Sequence, residues 1–263
     1  MNKIKTIIQK EWAEVFKNRM VLFTVAFLPL ILTALPLGIL FAIKDSSLSS
    51  ASSNQIPAEM NAFCPGTLSG GDCFQVYMVS QFMLMFMILP LAIPVTISAY
   101  SIVGEKTTRS LEPLLATPIT TAELLTGKSL AAAIPAILAT YGAFTLFALG
   151  AWILIPNRAL FLALMDARWL IAVFIVGPLM AIMSIDVSII VSSRVNDPRV
   201  AEQLSMVVIV PLLAVFFAQI GGLIVINSKL VIGIAGGLVF LDCILVYLAV
   251  RLFQRETILT RWK

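Results

Sequence analysis

Six stretches of this chain run for more than twenty residues almost without charge: Met20 to Ile43, Val76 to Val103, Leu130 to Ile155, Trp169 to Ser193, Leu204 to Ile226 and Leu230 to Val250. A helix needs roughly 20 apolar residues to cross a hydrocarbon core about 30 Å thick, so each is long enough to span a membrane. Within them the only charges are Asp186 and Asp242. A membrane β-barrel would alternate polar and apolar positions instead, and a lipid-exposed chain must satisfy its backbone internally. The expected class is an all-α membrane protein with six transmembrane helices, a single transmembrane domain over residues 1–263. Composition agrees: 60% of the residues are hydrophobic and 12% are charged.

Basic residues set the orientation, because short loops rich in Lys and Arg stay on the cytoplasmic side. Lys3, Lys5, Lys10, Lys17 and Arg19 precede the first span; Lys106, Arg109 and Lys128 follow the second; Arg194 and Arg199 follow the fourth; Arg251, Arg255, Arg261 and Lys263 follow the sixth. The opposite side carries only Lys44, Arg158, Arg168 and Lys229. Both termini are expected in the cytoplasm of a multi-pass protein of the cell (inner) membrane. The net charge of +4 then reflects topology and anionic lipid headgroups, not nucleic acid. Trp12, Trp152, Trp169 and Trp262 fall near span ends, where amphipathic rings favour the interface. No cleaved signal peptide is expected, since the first apolar window is too long and lacks a small-residue cleavage site.

Residues 1–19 place Ile4, Ile8, Trp12 and Val15 at helical spacing among Lys and Glu, widened by Ile7 and Phe16. This predicts an amphipathic helix in the inner interface. Residues 44–75 form the one sizeable extracytoplasmic loop, rich in Ser, Asn, Pro and Gly and too short for a domain with its own core. Cys64 and Cys73 lie there, either as a disulfide or as two free thiols. Cys243 reads as a small packing residue.

Pro90 and Pro94 should bend the second span. Met83, Met85 and Met87 alternate around a helix and so read as packing, not a thioether metal site. Ser184, Ser188 and Ser192 in the fourth span, and Gly233 with Gly237 in the sixth, read as small residues that let helices approach. Gly221-Gly222 and Asn227 to Lys229 leave open whether the last two windows are plain spans or include a re-entrant break.

Two stretches imitate nucleotide-binding motifs. "TTAELLTGKS" (120–129) ends like a phosphate-binding loop, but Ala122 stands where the first glycine belongs and no strand precedes it. Thr120 and Glu123 instead form a capping-box pattern leading into an apolar helix. "LSGG" (68–71) sits in the outer loop, away from cytoplasmic ATP. No catalytic residue, metal site or bound cofactor is expected. Between the second and third spans, Glu105 and Arg109 are spaced i,i+4, and Glu112-Pro113 and Pro118 interrupt the helix. Residues 104–129 thus read as a bent surface element, longer than an ordinary helix connection.

That segment resembles the first cytoplasmic loop of the membrane subunits (permeases) of ATP-binding-cassette exporters of type 2. The residues that carry the likeness are Glu105, Lys106, Leu111, Glu112, Leu114, Leu115, Thr117, Pro118, Ile119, Thr120, Glu123, Leu124, Leu125, Gly127 and Lys128. "KEWAEVFKNRMVLFTVAFLPL" (10–30) and "SSRVNDPRVAEQLSMVVIVPLL" (192–213) are similar too. Arg109 and Ser110, where the family more often has Gly and Thr, and Pro113 depart from the pattern. The resemblance implies a translocation pathway formed as a dimer with a second permease copy or paralogue, driven by a separate cytoplasmic ATPase that holds the ATP and Mg. It implies a coupling helix in 104–129, with Glu105, Arg109, Glu112, Pro118, Glu123 and Lys128 as coupling residues. A lipid, drug or other amphipathic compound is the substrate class it suggests.

A carboxylate at mid-membrane costs about 2.5 to 3.5 kcal/mol on insertion scales. Asp186 and Asp242 are therefore candidates for the translocation pathway or a dimer interface, with hydrogen bonding among the serines an alternative for Asp186. A stand-alone secondary transporter or channel is the rival reading, yet neither an internal repeat nor several paired intramembrane charges is present. An intramembrane enzyme is disfavoured, as the chain has no His.

Overall fold

The computed structural model describes residues 3–44, 70–107 and 120–252. Among these residues there is no strand, and six helical units are long and apolar enough to cross a membrane. A helix over Lys3–Val15 comes first. Span 1 is Arg19–Lys44. Span 2 is built from Gly70–Met83, a 3-10 turn Leu84–Ile88, and Leu89–Thr107. Span 3 is the unbroken helix Thr121–Leu154. Span 4 joins Arg158–Leu164, Ala167–Ile171, a π turn Ala172–Val176 and Gly177–Ser192. Span 5 joins Pro198–Ser205, a 3-10 turn Met206–Ile209 and Val210–Ile220, and span 6 is Ser228–Leu252.

Span 2 is the core of the bundle. In its most apolar window 83% of residues are buried, against 11% in span 6. It packs on spans 1, 3, 4 and 5, while span 6 rests chiefly on span 4. Span 6 buries Val231, Leu238, Asp242 and Ala249, one helical stripe, and turns Phe240 and Tyr247 outward. Outward apolar side chains on spans 1, 3, 5 and 6 are what a lipid-facing surface requires.

Prolines shape span 2. Pro94 has no N–H to offer the Pro90 carbonyl four residues back. Ser184 Oγ of span 4 lies 3.3 Å from that oxygen, so a neighbouring helix reaches the group the kink releases. Met83 and Met87 are buried beside the 3-10 turn while Met85 is half-buried. Ser184, Ser188 and Ser192 are fully buried, in keeping with close helix contact. Gly233 and Gly237 are exposed on span 6, and among the described residues of this chain no atom lies within 4 Å of where a Cβ would stand.

Helix ends differ from the apolar windows where charges sit inside a helix. Span 5 begins at Pro198, six residues before its window. Asp197 caps it, accepting hydrogen bonds from the Arg199 N–H (2.7 Å) and the Val200 N–H (3.3 Å). It ends at Ile220, where Gly221-Gly222 turn the chain and Gly222 takes a φ of 70°. A non-helical link then leads to span 6, which starts with Asn227 accepting from the Leu230 N–H at 2.8 Å. The last two windows are therefore two separate helices. Arg168, buried at the head of span 4, holds this link through Nη1 to the Ile226 carbonyl (3.2 Å) and pairs with Asp166 at 2.7 Å. Trp152 is exposed as an interfacial ring would be, but Trp169 is buried in the core. Trp262 lies outside the described residues.

Candidate functional site

The terminal face of the bundle, where the N-terminal helix meets spans 2 and 3, holds a buried ion cluster. Lys128 Nζ lies 2.8 Å from Glu11 Oε1, 2.7 Å from Glu105 Oε2 and 2.8 Å from Ser101 Oγ. Ser101 Oγ donates to the second Glu11 oxygen, and Lys10 Nζ reaches Glu105 Oε1. Glu11, Glu105 and Lys128 side chains are each no more than 5% exposed. Two ammonium and two carboxylate groups thus neutralise one another, the condition under which buried charges are tolerated. Burial alone would lower the Lys10 pKa, but the hydrogen bond and charge of Glu105, with Glu14 and Glu11 behind it, raise it.

Packing around the cluster explains the "GKS" triplet. A Cβ on Gly127 would lie 2.8 Å from Ile7 Cγ2, so only glycine lets the N-terminal helix approach this closely. Trp12 Nε1 donates to the Ala131 carbonyl at 2.9 Å, one turn further along span 3. The fully buried stripe of the N-terminal helix is Ile7, Glu11 and Val15, flanked by half-buried Ile4, Ile8 and Trp12. Its face is rotated from the purely apolar one, because a carboxylate must meet Lys128.

The start of span 3 carries the capping box: Thr120 Oγ1 accepts from the Glu123 N–H at 3.2 Å, and Glu123 Oε2 accepts from the Thr120 N–H at 2.8 Å. Lys3 Nζ approaches Glu123 Oε2 at 3.4 Å. Glu123 is partly exposed, whereas Glu105 and Lys128 are enclosed. The latter two are placed to join elements, not to present a contact surface. Arg109, Glu112 and Pro118 lie outside the described residues. Sequence reasoning missed Lys10, Glu11 and Ser101. The signal available for Glu11 was its place in register with Ile7 and Val15, on the side of the helix that packs.

A second tie joins spans 2 and 5, where Thr96 Oγ1 donates to Glu202 Oε1 at 2.6 Å. In the membrane interior, Asp186 on span 4 and Asp242 on span 6 are both buried, at 5% and 7% exposure. Asp186 Oδ2 and both Asp242 oxygens have no hydrogen-bond partner, and neither residue forms an ion pair among the described residues. On the opposite face Cys73 is in the disulfide state; Cys243, within span 6, is free, and Cys64 lies outside the described residues. Among the described residues no cluster of metal-ligating side chains occurs.

Six apolar helices, the second of them central and shaped by prolines, with the charges of the described residues at loops and helix ends apart from two interior carboxylates, define a multi-pass membrane protein. Residues 5–254 match the ABC-2 family transporter protein family. The chain belongs to that family and is the permease, the membrane component, of an ATP-binding-cassette transporter. No curated protein matches it.

Proposed function

We propose that this permease is the transmembrane half of an ATP-driven exporter, working as a dimer with two copies of a separate cytoplasmic ATPase that binds ATP and Mg. Both termini and segment 104–129 face the cytoplasm; a Cys64–Cys73 disulfide pins the outer loop. Glu112, Pro118 and Glu123, with Arg109, form the surface on which the ATPase docks. Glu105 and Lys128 serve coupling from behind that surface.

The observation that supports this most directly is the buried ion cluster. Glu105 and Lys128 bracket the coupling segment, and their shared contacts with Lys10, Glu11 and Ser101 bind its two ends into one block. A push on the segment is thereby delivered to spans 2 and 3 together, as rigid-body rocking requires. Asp186 and Asp242 belong to the region those spans rearrange, and the substrate is amphipathic.

Co-purification with its ATPase tests the docking. Glu112→Lys should detach the ATPase or uncouple hydrolysis from transport. Glu123→Gln keeps the capping box but removes a charge, and should weaken the pull-down without loss of folded protein. Unchanged pull-down and transport in both variants would contradict the proposal.

A further inference from the structure

Spans 3, 4 and 6 line a half-open cavity of ≈ 240 Å³ towards the terminal face. Its walls are mainly aliphatic, Leu125, Leu130, Ile182 and Val246 among them. Among the described residues Asp186 is the one charged residue that lines it. Asp186 as a residue is 5% exposed, and its Oδ2 has no hydrogen-bond partner. Among the described residues no basic side chain lines the cavity: Lys128 is committed to Glu11, Glu105 and Ser101 on another side of span 3.

The chemistry of that space selects its occupant. An anion would face an uncompensated carboxylate in a low-dielectric wall. A neutral apolar molecule would fill the volume but leave Asp186 unsatisfied. A small hard metal ion needs a shell of several oxygen ligands, whereas Asp186 is joined only by the Thr126 and Ser129 hydroxyls. A cation whose charge is wrapped in hydrocarbon needs one counter-charge and apolar walls, which the cavity supplies.

We propose that the cavity between spans 3, 4 and 6 is a binding site for a lipophilic organic cation, with Asp186 as its counter-ion. The site rests on the exporter reading only for what happens to the ligand after it binds. There it narrows the amphipathic substrate class to hydrophobic amines and quaternary ammonium compounds. Asp242, unpartnered on span 6, adds negative field to the same part of the bundle.

The test uses the full-length permease in lipid nanodiscs, with empty nanodiscs as background, and two probes that differ only in charge: benzyltrimethylammonium and its carbon isostere neopentylbenzene. Equilibrium dialysis should show saturable binding of benzyltrimethylammonium, one per chain, that neopentylbenzene does not displace. Asp186→Asn should weaken it by at least about ten-fold. Because that change also touches the packing of span 4, Ser129→Phe, which fills the cavity from span 3, should abolish binding in a monodisperse protein. Unsaturable binding, equal competition by the neutral probe, or unchanged affinity in either variant would overturn the site. A permease that binds the cation normally yet recruits no ATPase would leave the site standing and remove the exporter reading instead.

Discussion

At the scale of single residues, Gly127 and Lys128 do at a helix interface what the same pair does for phosphate in a nucleotide-binding loop: a residue without a side chain permits approach, and a cation meets the negative charge. Gly127→Ala should force the N-terminal helix away from span 3, because the β-branched Ile7 at 2.8 Å cannot rotate clear. A loss of about 1–3 kcal/mol is expected from overpacking of this kind. Added Ile7→Ala should restore much of it; protease release of the N-terminal segment and thermal unfolding in detergent measure both. Lys128→Met removes one partner from a buried set and leaves Glu11 without its ammonium. About 3–5 kcal/mol should be lost on the same assays, since an uncompensated buried charge remains. Ser101→Ala, which deletes only a hydroxyl, serves as the mild comparison. A Lys128→Met protein as stable as Ser101→Ala would show that the cluster does not hold the helices together.

At the scale of elements, the connection between spans 4 and 5 shows what a reading of apolar windows can and cannot find. Spans 1 and 6 lie within about two residues of their windows because charges flank them on both sides. Span 5 begins earlier because Arg199 and Glu202 lie inside its first turns. Asp197 caps that start and Pro198 takes the first helical position, a local signal that apolar windows overlook. What was not legible is the partner that lets Glu202 sit there, Thr96, 106 residues earlier in sequence. The same holds for the site: Glu105 and Lys128 stood out beside the loop, but their burial depends on Glu11, and no local spacing encodes a contact across 117 residues. A double-mutant cycle on Thr96→Val and Glu202→Gln isolates the tie between spans 2 and 5. The coupling should be about 1.5 kcal/mol, the lower end for a hydrogen bond to a charged group, as Glu202 is only half-buried. A coupling near zero would mean that Asp197 capping alone positions span 5.

At the scale of the whole molecule, the arrangement of charge favours one orientation of the bundle in a bilayer. Lys10, Glu11, Glu105 and Lys128 gather at the face that also receives the end of span 4 and the start of span 5. Inverting the protein would carry this cluster, the N-terminal lysines and the segment after span 2 across the hydrocarbon, against the basic-residue bias of the loops. Lys5 and Lys229 are both exposed, and they lie at opposite ends of the bundle. With Lys5→Cys and Lys229→Cys made separately, a membrane-impermeant maleimide should label position 229 in intact cells, and position 5 only after the membrane is opened. The unsubstituted protein sets the background, including Cys243, which lies within span 6, away from the water that carries the reagent. Labelling of position 5 from outside would place the ion cluster on the external leaflet. An ATPase in the cytoplasm could then not reach it, and the mechanical role assigned to the cluster would fall with the topology.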